Sequence, residues 1–178
     1  DGASVSKIAF VQCAGSRDRS HLPYCSAICC MASLKQTRYI RDQYPDAEIH
    51  VFFIDARTPG RWEDFYQNVQ DDTKTIIHRG KVAKVDDAGD GNVTVIAENT
   101  LTGNLEKITV EMAVLATGMV PSAKTTKPLL DSKQDEFGFI WPGGVIAAGV
   151  ATGPKDVAGS NQDATAAVAR AMQDMVEV

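Results

Sequence analysis

After Cys30 the chain has no cysteine; Cys13, Cys25, Cys29 and Cys30 are the only four in 178 residues. In a chain whose default address is cytoplasmic, such clustering points to metal binding or catalysis more than to structural disulfides. No apolar run approaches the roughly 18–20 residues that a membrane-spanning helix needs. Residues 1–18 lack a basic segment followed by an apolar one, so no secretory leader is expected and a cytoplasmic address is. There is no basic excess either: the net charge is −5, which argues against nucleic acid as a partner. The chain lacks an initial Met, which suggests a processed product or a piece of something larger. It also lacks the G-x-G-x-x-G segment with which a dinucleotide's pyrophosphate is gripped.

What is present is an ordinary globular composition, 44% apolar and 23% charged, long enough for one domain or one domain plus part of another. Apolar strands are expected at Lys7–Gln12, Glu48–Asp55 and Lys74–Gly80, alternating with helices at Tyr24–Tyr44 and Arg61–Gln70. That alternation predicts βαβ units and a Rossmann-like parallel sheet, an α/β fold. The segments "KVAKVDD", "NVTVIAEN" and "LEKITVE", joined by "AGDGN" and "TLTGN", read as a three-stranded antiparallel meander. A further strand, Met112–Gly118, ends at a glycine. Residues 120–136, with Pro121 and Pro128, read as a connector, followed by a strand-like Gly144–Gly149, a loop, and a helix over Asn161–Val176. The division expected is 1–122 for the α/β domain and 123–178 for the connector and a C-terminal segment.

The strand Lys7–Gln12 runs directly into Cys13, and the next three cysteines follow a short loop. In a parallel α/β sheet, nucleotide phosphates usually bind between the first strand and the following helix. Here that place holds "QCAGSRDRS" and thiols. On a helix, Cys25 and Cys29 share a face and Cys30 lies about 100° around from Cys29, with Cys13 reaching in from the strand end. Four thiolates can converge on an iron–sulfur cubane, whose separate corners suit adjacent cysteines. A single zinc ion fits less well, because structural zinc sites favour C-x2–4-C pairs. A thiol–disulfide relay between Cys25 and Cys29, or thiols that are simply buried, stay open on spacing alone.

"FVQCAGSRD…LPYCSAICC…LKQ" and "YPDAEIHVFFIDARTPGRWEDFY" resemble the heterodisulfide reductase A-subunit family over nearly the whole chain. Within it the likeness leans to the A subunits of quinone-interacting membrane-bound oxidoreductase complexes of sulfate reducers. The resemblance implies a thioredoxin-reductase-like FAD/NAD(P)-binding architecture and a [4Fe-4S] cluster on Cys13, Cys25, Cys29 and Cys30. "AVLATGMVPS", with Gly118 and Pro121, looks like the crossover between domains of such flavoproteins. Gly149, Ala151, Thr152, Gly153, Pro154 and Lys155 would form a flavin-contacting loop, with Ser160 near the start of the next helix. Gly149-Val150 departs from the Gly-Asp that related flavoproteins often carry. Without the first glycine-rich segment the chain resembles a fragment: an NAD(P)-binding-like domain plus the return to the FAD domain. As such it would bind FAD weakly or not at all, and its last helix would pack on the α/β domain or on a second copy.

The expected function is electron transfer within an oxidoreductase complex: FAD, present in the intact protein, exchanges electrons with the cluster and thence with partner subunits. The resemblance would link the quinone pool to sulfate-reduction enzymes, at a cytoplasmic site peripheral to the membrane through those partners, with no catalytic acid or base in this segment. The alternatives are a dithiol/disulfide oxidoreductase using Cys25 and Cys29, and a docking domain whose cysteines are incidental. Among lesser features, "DDAGDGN" reads as a hairpin turn and not a calcium loop. His21, His50 and His78 show no ligand spacing and read as core or surface residues. Arg17, Lys35 and Arg38 are placed to offset cluster charge, although solvated roles are the simpler reading. Asp55 reads as a turn or cap, so no NAD(P) site is predicted.

Overall fold

The computed structural model describes residues 4–122, 132–141 and 143–176. Four parallel strands form one sheet: β1 (Lys7–Val11), β2 (Glu48–Phe53), β3 (Thr75–Arg79) and β7 (Met112–Leu115), in the order β3-β2-β1-β7. Helices α1 (Cys29–Gln43) and α2 (Trp62–Gln70) make the crossovers from β1 to β2 and from β2 to β3. Between β3 and β7 the chain leaves the sheet as an antiparallel meander, β4 (Val82–Asp87), β5 (Val93–Glu98) and β6 (Leu105–Val110). The expected α/β architecture and its meander are therefore both present.

Strand alternation divides the core into two layers. Ala9, Val11 and Phe52 pack with Val95, Ala97 and Val110 of the meander. Ile8, Phe10, Ile49, Val51 and Phe53 form the opposite layer, joined by Ile40 of α1 and Tyr66 of α2. Passage from one sheet to the other turns on Gly80. A Cβ there would stand 1.9 Å from the carbonyl oxygen of Glu98, so no larger residue fits without moving the backbone.

The turn between β4 and β5 is a hairpin, as expected. The carboxylates of Asp87 and Asp90 accept hydrogen bonds from the Gly89 and Asn92 amides within the loop.

The chain falls into two compact units, residues 1–25 with 29–118, and residues 26–28 with 119–178. In the second unit helix α3 (Val157–Val176) starts four residues before the expected Asn161. Asp156 caps it, accepting from the Gly159 amide at 2.7 Å, so "VAGS" is helical despite its glycine. No residue of α3 among those described is buried, and Val168, Met172 and Met175 are exposed. The strand expected at Gly144–Gly149 is absent. Gly143 and Gly144 turn the backbone through positive φ, and only a single 3-10 turn, Gly149–Ala151, follows. The connector residues 123–131, with Pro128, lie outside the described residues.

Candidate functional site

The four cysteines lie at the carboxyl end of β1 and the amino end of α1. Helix α1 starts at Cys29 and not at Tyr24, so Cys25 sits in the preceding loop and does not share a helical face with Cys29. The cause is the loop's own geometry. Ala27 adopts φ +60°, outside the helical region. Nearby, Ser26 is buried and accepts a 2.7 Å hydrogen bond from the Met119 amide.

Cys13 (φ +56°), Arg17 (φ +53°) and Ala27 are the only non-glycine residues with positive φ among those described. Three such residues within one loop amount to stored backbone strain, which persists only where surroundings enforce it. The enforcement is visible. Ala14 N–H donates to the Ala116 carbonyl, Ser16 Oγ to the Thr117 carbonyl, and Arg17 N–H to the Tyr24 carbonyl. Asp18 accepts from Lys81 at 2.9 Å and from the Ser20 amide. Arg17 is paired with Asp55, which also holds Arg57.

All four thiols are half-buried and none is in a disulfide. Cys13 interacts electrostatically with each of the other three, Cys29 with Cys25 and Cys30, and Cys30 with Cys25. Burial pushes the Cys13, Cys29 and Cys30 thiols up from their ordinary values, with neighbouring cysteines adding to the shift. Arg17 opposes this at Cys13, the Gly118 amide at Cys29 and the Arg57 amide at Cys30. Such thiols are protonated at neutral pH, the opposite of the low-pKa thiolate that a thiol–disulfide relay uses.

Among the described residues, no group of three or more His, Cys, Asp or Glu side chains is gathered tightly enough to hold a metal ion. A single zinc at about 2.3 Å from each sulfur would draw the sulfurs to within about 4 Å of one another. A cubane holds its thiolates farther apart, one per corner. Four thiols with backbone amides at their edge are a donor set that a cubane takes.

One residue missed in the sequence adjoins the site. Gln12 is 3% exposed, and both its amide nitrogen and its amide oxygen lack a hydrogen-bond partner. With Cys30, Leu34 and Tyr66 it lines a cavity of about 10 Å³, room for roughly one water. An apolar strand running into Cys13 and ending in a glutamine is the one signal the sequence carries for it. Of the three cations near the cysteines in sequence, Arg17 alone acts on a thiol. Lys35 lies over the Tyr39 ring and Arg38 pairs with Asp42. Asp55 serves the two arginines, as a turn residue.

The residues expected against a flavin divide between the units. Gly118 belongs to the first; Pro121 and Gly149 to Ser160 belong to the second. Within the second unit Gly149 (φ +66°), Ala151, Thr152, Gly153, Pro154 and Lys155 form one turn, tied down by Asp163 of α3. The Asp163 carboxylate accepts from the Gly149 amide at 2.7 Å and the Thr152 hydroxyl at 2.8 Å, and pairs with Lys155 at 3.2 Å. Those bonds hold the Asp163 carboxyl below its usual range, Thr152 contributing most. Ser160 lies in the first turn of α3. A cleft of about 490 Å³ opens between residues 140, 141 and 143–147 and α3, reaching Thr152 and Asp163. Asp163 is a second site residue that the sequence alone did not single out.

No protein-family model matches the chain. The fold is that of thioredoxin reductase: the T. acidophilum enzyme matches with a TM-score of 0.60 over 96% of this chain and 53% of that one, at 16% identity. The Lactococcus lactis thioredoxin reductase matches at 0.59 with 13% identity, over 97% of this chain and 54% of that one. Closer relatives in sequence come from methanogens. One is the A subunit of the H(2):CoB-CoM heterodisulfide,ferredoxin reductase of Methanothermobacter marburgensis. Another is an iron-sulfur A subunit, the second so numbered, of the CoB–CoM heterodisulfide reductase of Methanopyrus kandleri. Each is 35% identical, over 99% and 96% of this chain. A protein of Archaeoglobus profundus described as like the heterodisulfide reductase A subunit is 33% identical over 93% of this chain. The chain spans 29%, 29% and 26% of these three relatives, under a third of each. Over nearly its whole length, this chain is homologous to one part of the heterodisulfide reductase A subunit.

Proposed function

We propose that this chain is the cluster-bearing part of an electron-transfer flavoprotein, with Cys13, Cys25, Cys29 and Cys30 holding a [4Fe-4S] cluster. The observation that carries the reading is four half-buried thiols, within electrostatic reach of one another, around a strained loop whose edge is lined by backbone amides. When bound, the cluster supplies a site for single-electron exchange. The chain's own part is to seat it. The Gly118 and Arg57 amides and the Arg17 guanidinium face sulfur and lower the cost of negative charge there. As a free thiol Cys30 donates weakly to the Asp55 carbonyl at 3.9 Å; once ligating it cannot, and the Arg57 amide is then its remaining partner.

In the longer protein FAD would contact Gly118, Pro121, the turn from Gly149 to Lys155, and Ser160. The Asp163 ties keep that turn in shape. Electrons would pass between the flavin, the cluster and other subunits of a complex. On this reading the route would run from the quinone pool to sulfate-reduction enzymes. The chain's position would be cytoplasmic and at the membrane, held there by partner subunits; no helix among the described residues is long and apolar enough to cross a membrane. The exposed row Val168, Met172 and Met175 would face the remainder of the flavin domain, or a second copy of this chain.

Anaerobic iron and sulfide analysis with EPR tests the reading. About four irons per chain, lost on replacing Cys13 or Cys29 with Ser, are expected. A metal-free protein after anaerobic reconstitution, with a titratable Cys25–Cys29 disulfide, would replace it with the thiol relay.

A further inference from the structure

His50 and His78, 28 residues apart, stand side by side on β2 and β3, on the face of the parallel sheet turned towards the meander. Both are buried, at 3% and 8% exposure. His50 Nδ1 lies 2.8 Å from His78 Nε2, and the two outer nitrogens reach carboxylates: His50 Nε2 to Glu48 at 2.7 Å and His78 Nδ1 to Glu106 at 2.7 Å. The chain continues to Lys7, 2.8 Å from Glu48, and to the Asn99 amide, which donates to Glu106 at 2.8 Å. Phe52 stacks on His78 with ring centroids 4.3 Å apart and seals the pair from one side.

The proton count of this arrangement is fixed. Three hydrogen bonds along Glu48–His50–His78–Glu106 need three protons, one per bond. Two neutral imidazoles between two carboxylates bring only two, which leaves one of the contacts as a lone pair facing a lone pair. The count does not depend on tautomer; a protonated carboxyl group only moves the third proton along the row.

We propose that Glu48–His50–His78–Glu106 is a proton-binding site, which on folding takes up one proton beyond two neutral imidazoles and uses it to tie the meander to the parallel sheet. Glu106 is the only member of the row on the meander, and the row is closed from sheet to meander throughout only when the third proton is present. The charged groups facing the pair are Lys7 from β1, Glu48 from β2 and Glu106 from β6; β5 presents the apolar Val95 and Ala97. Lys7 and His50 hold Glu48 below its usual range, and Asn99 followed by His78 does the same for Glu106, so neither carboxyl retains the proton. Burial pushes His50 down, against the pull of Glu48, and the charge of His78 adds to the fall. That keeps a fourth proton out.

The sign of the pH dependence follows. Above the ordinary imidazole value of about 6.5 the folded row holds three protons and the unfolded pair two, so stability falls as pH rises until the row releases its third. Below that value the unfolded pair takes four while the folded row, with His50 depressed, resists the fourth, so stability falls again. The contribution therefore peaks near pH 6.5.

Nitrogen-15 NMR of the folded 178-residue chain at pH 6.5 tests the site. Three slowly exchanging imidazole N–H protons on His50 and His78 are expected, one coupled to nitrogens of both rings. The folded-to-unfolded ratio should fall about tenfold for each pH unit by which the site outlasts a free imidazole. Glu106→Gln should flatten the alkaline limb, and Lys107→Gln, outside the row, should leave it intact. If Glu106→Gln does not fold, the wild-type proton count decides alone. Only two N–H protons, or a stability independent of pH from 6.5 to 8.5, would overturn the proposal.

Discussion

The two faces of the parallel sheet treat buried polar groups in opposite ways. On the face turned to the meander, every nitrogen of His50 and His78 has a partner and the row ends in carboxylates that are themselves held. On the face turned to α1, Gln12 is buried with both amide atoms unpaired, beside thiols that burial keeps protonated. A satisfied network stiffens the fold it sits in; an unsatisfied one raises its free energy until something binds. The first face therefore reads as structure and the second as a seat.

The largest way to break the comparison is to empty the paired face. Phe52 is fully buried and stacks on His78. Phe52→Ala should cost about 3–5 kcal/mol of stability in urea or thermal unfolding, from lost burial and the cavity left behind. A loss under about 1 kcal/mol would mean that the layer between the sheets is loosely packed. Next comes His78→Leu, which keeps volume but strands the His50 and Glu106 partners. It should cost about 2–3 kcal/mol near pH 6.5 and less towards pH 8.5, as the third proton becomes harder to hold in the wild type. An equal cost at both pH values would reduce the row to ordinary hydrogen bonds.

Much of this fold was legible in the chain. β1, β2 and β3 fall within the spans that apolar runs and turn residues predicted, and the meander strands match "KVAKVDD", "NVTVIAEN" and "LEKITVE" to a residue or two. Where reading failed, the cause was non-local. Tyr24–Ile28 has helical composition, but a hydrogen bond from the Met119 amide to Ser26 and the left-handed Ala27 keep the segment out of α1. Gly144–Gly149 has the apolar run of a strand but pairs with no strand among the described residues. The histidines could not be paired from sequence, because periodicity gives the face and not the register: Phe52 opposite His78 and His50 opposite Ile76 is set by how β2 and β3 align. The cysteine cluster was visible as spacing, whereas its strain, its amides and Gln12 come only from the folded loop.

The smallest expected effect has the opposite sign and sharpens the contrast most. Gln12→Met removes two unpaired polar atoms from a buried position and fills the space with a flexible apolar chain of similar length. In the metal-free chain this should raise stability by about 1 kcal/mol, whereas the same class of change at His78 lowers it. Loading the site should erase the gain, because the wild-type amide then has sulfur to bond. The two measurements are unfolding midpoints with and without iron and sulfide, compared between Gln12→Met and wild type. A variant less stable than wild type in the metal-free state would show that Gln12 already has a partner when the site is empty. The α1 face would then be as satisfied as the other, and the contrast between structure and seat would fall.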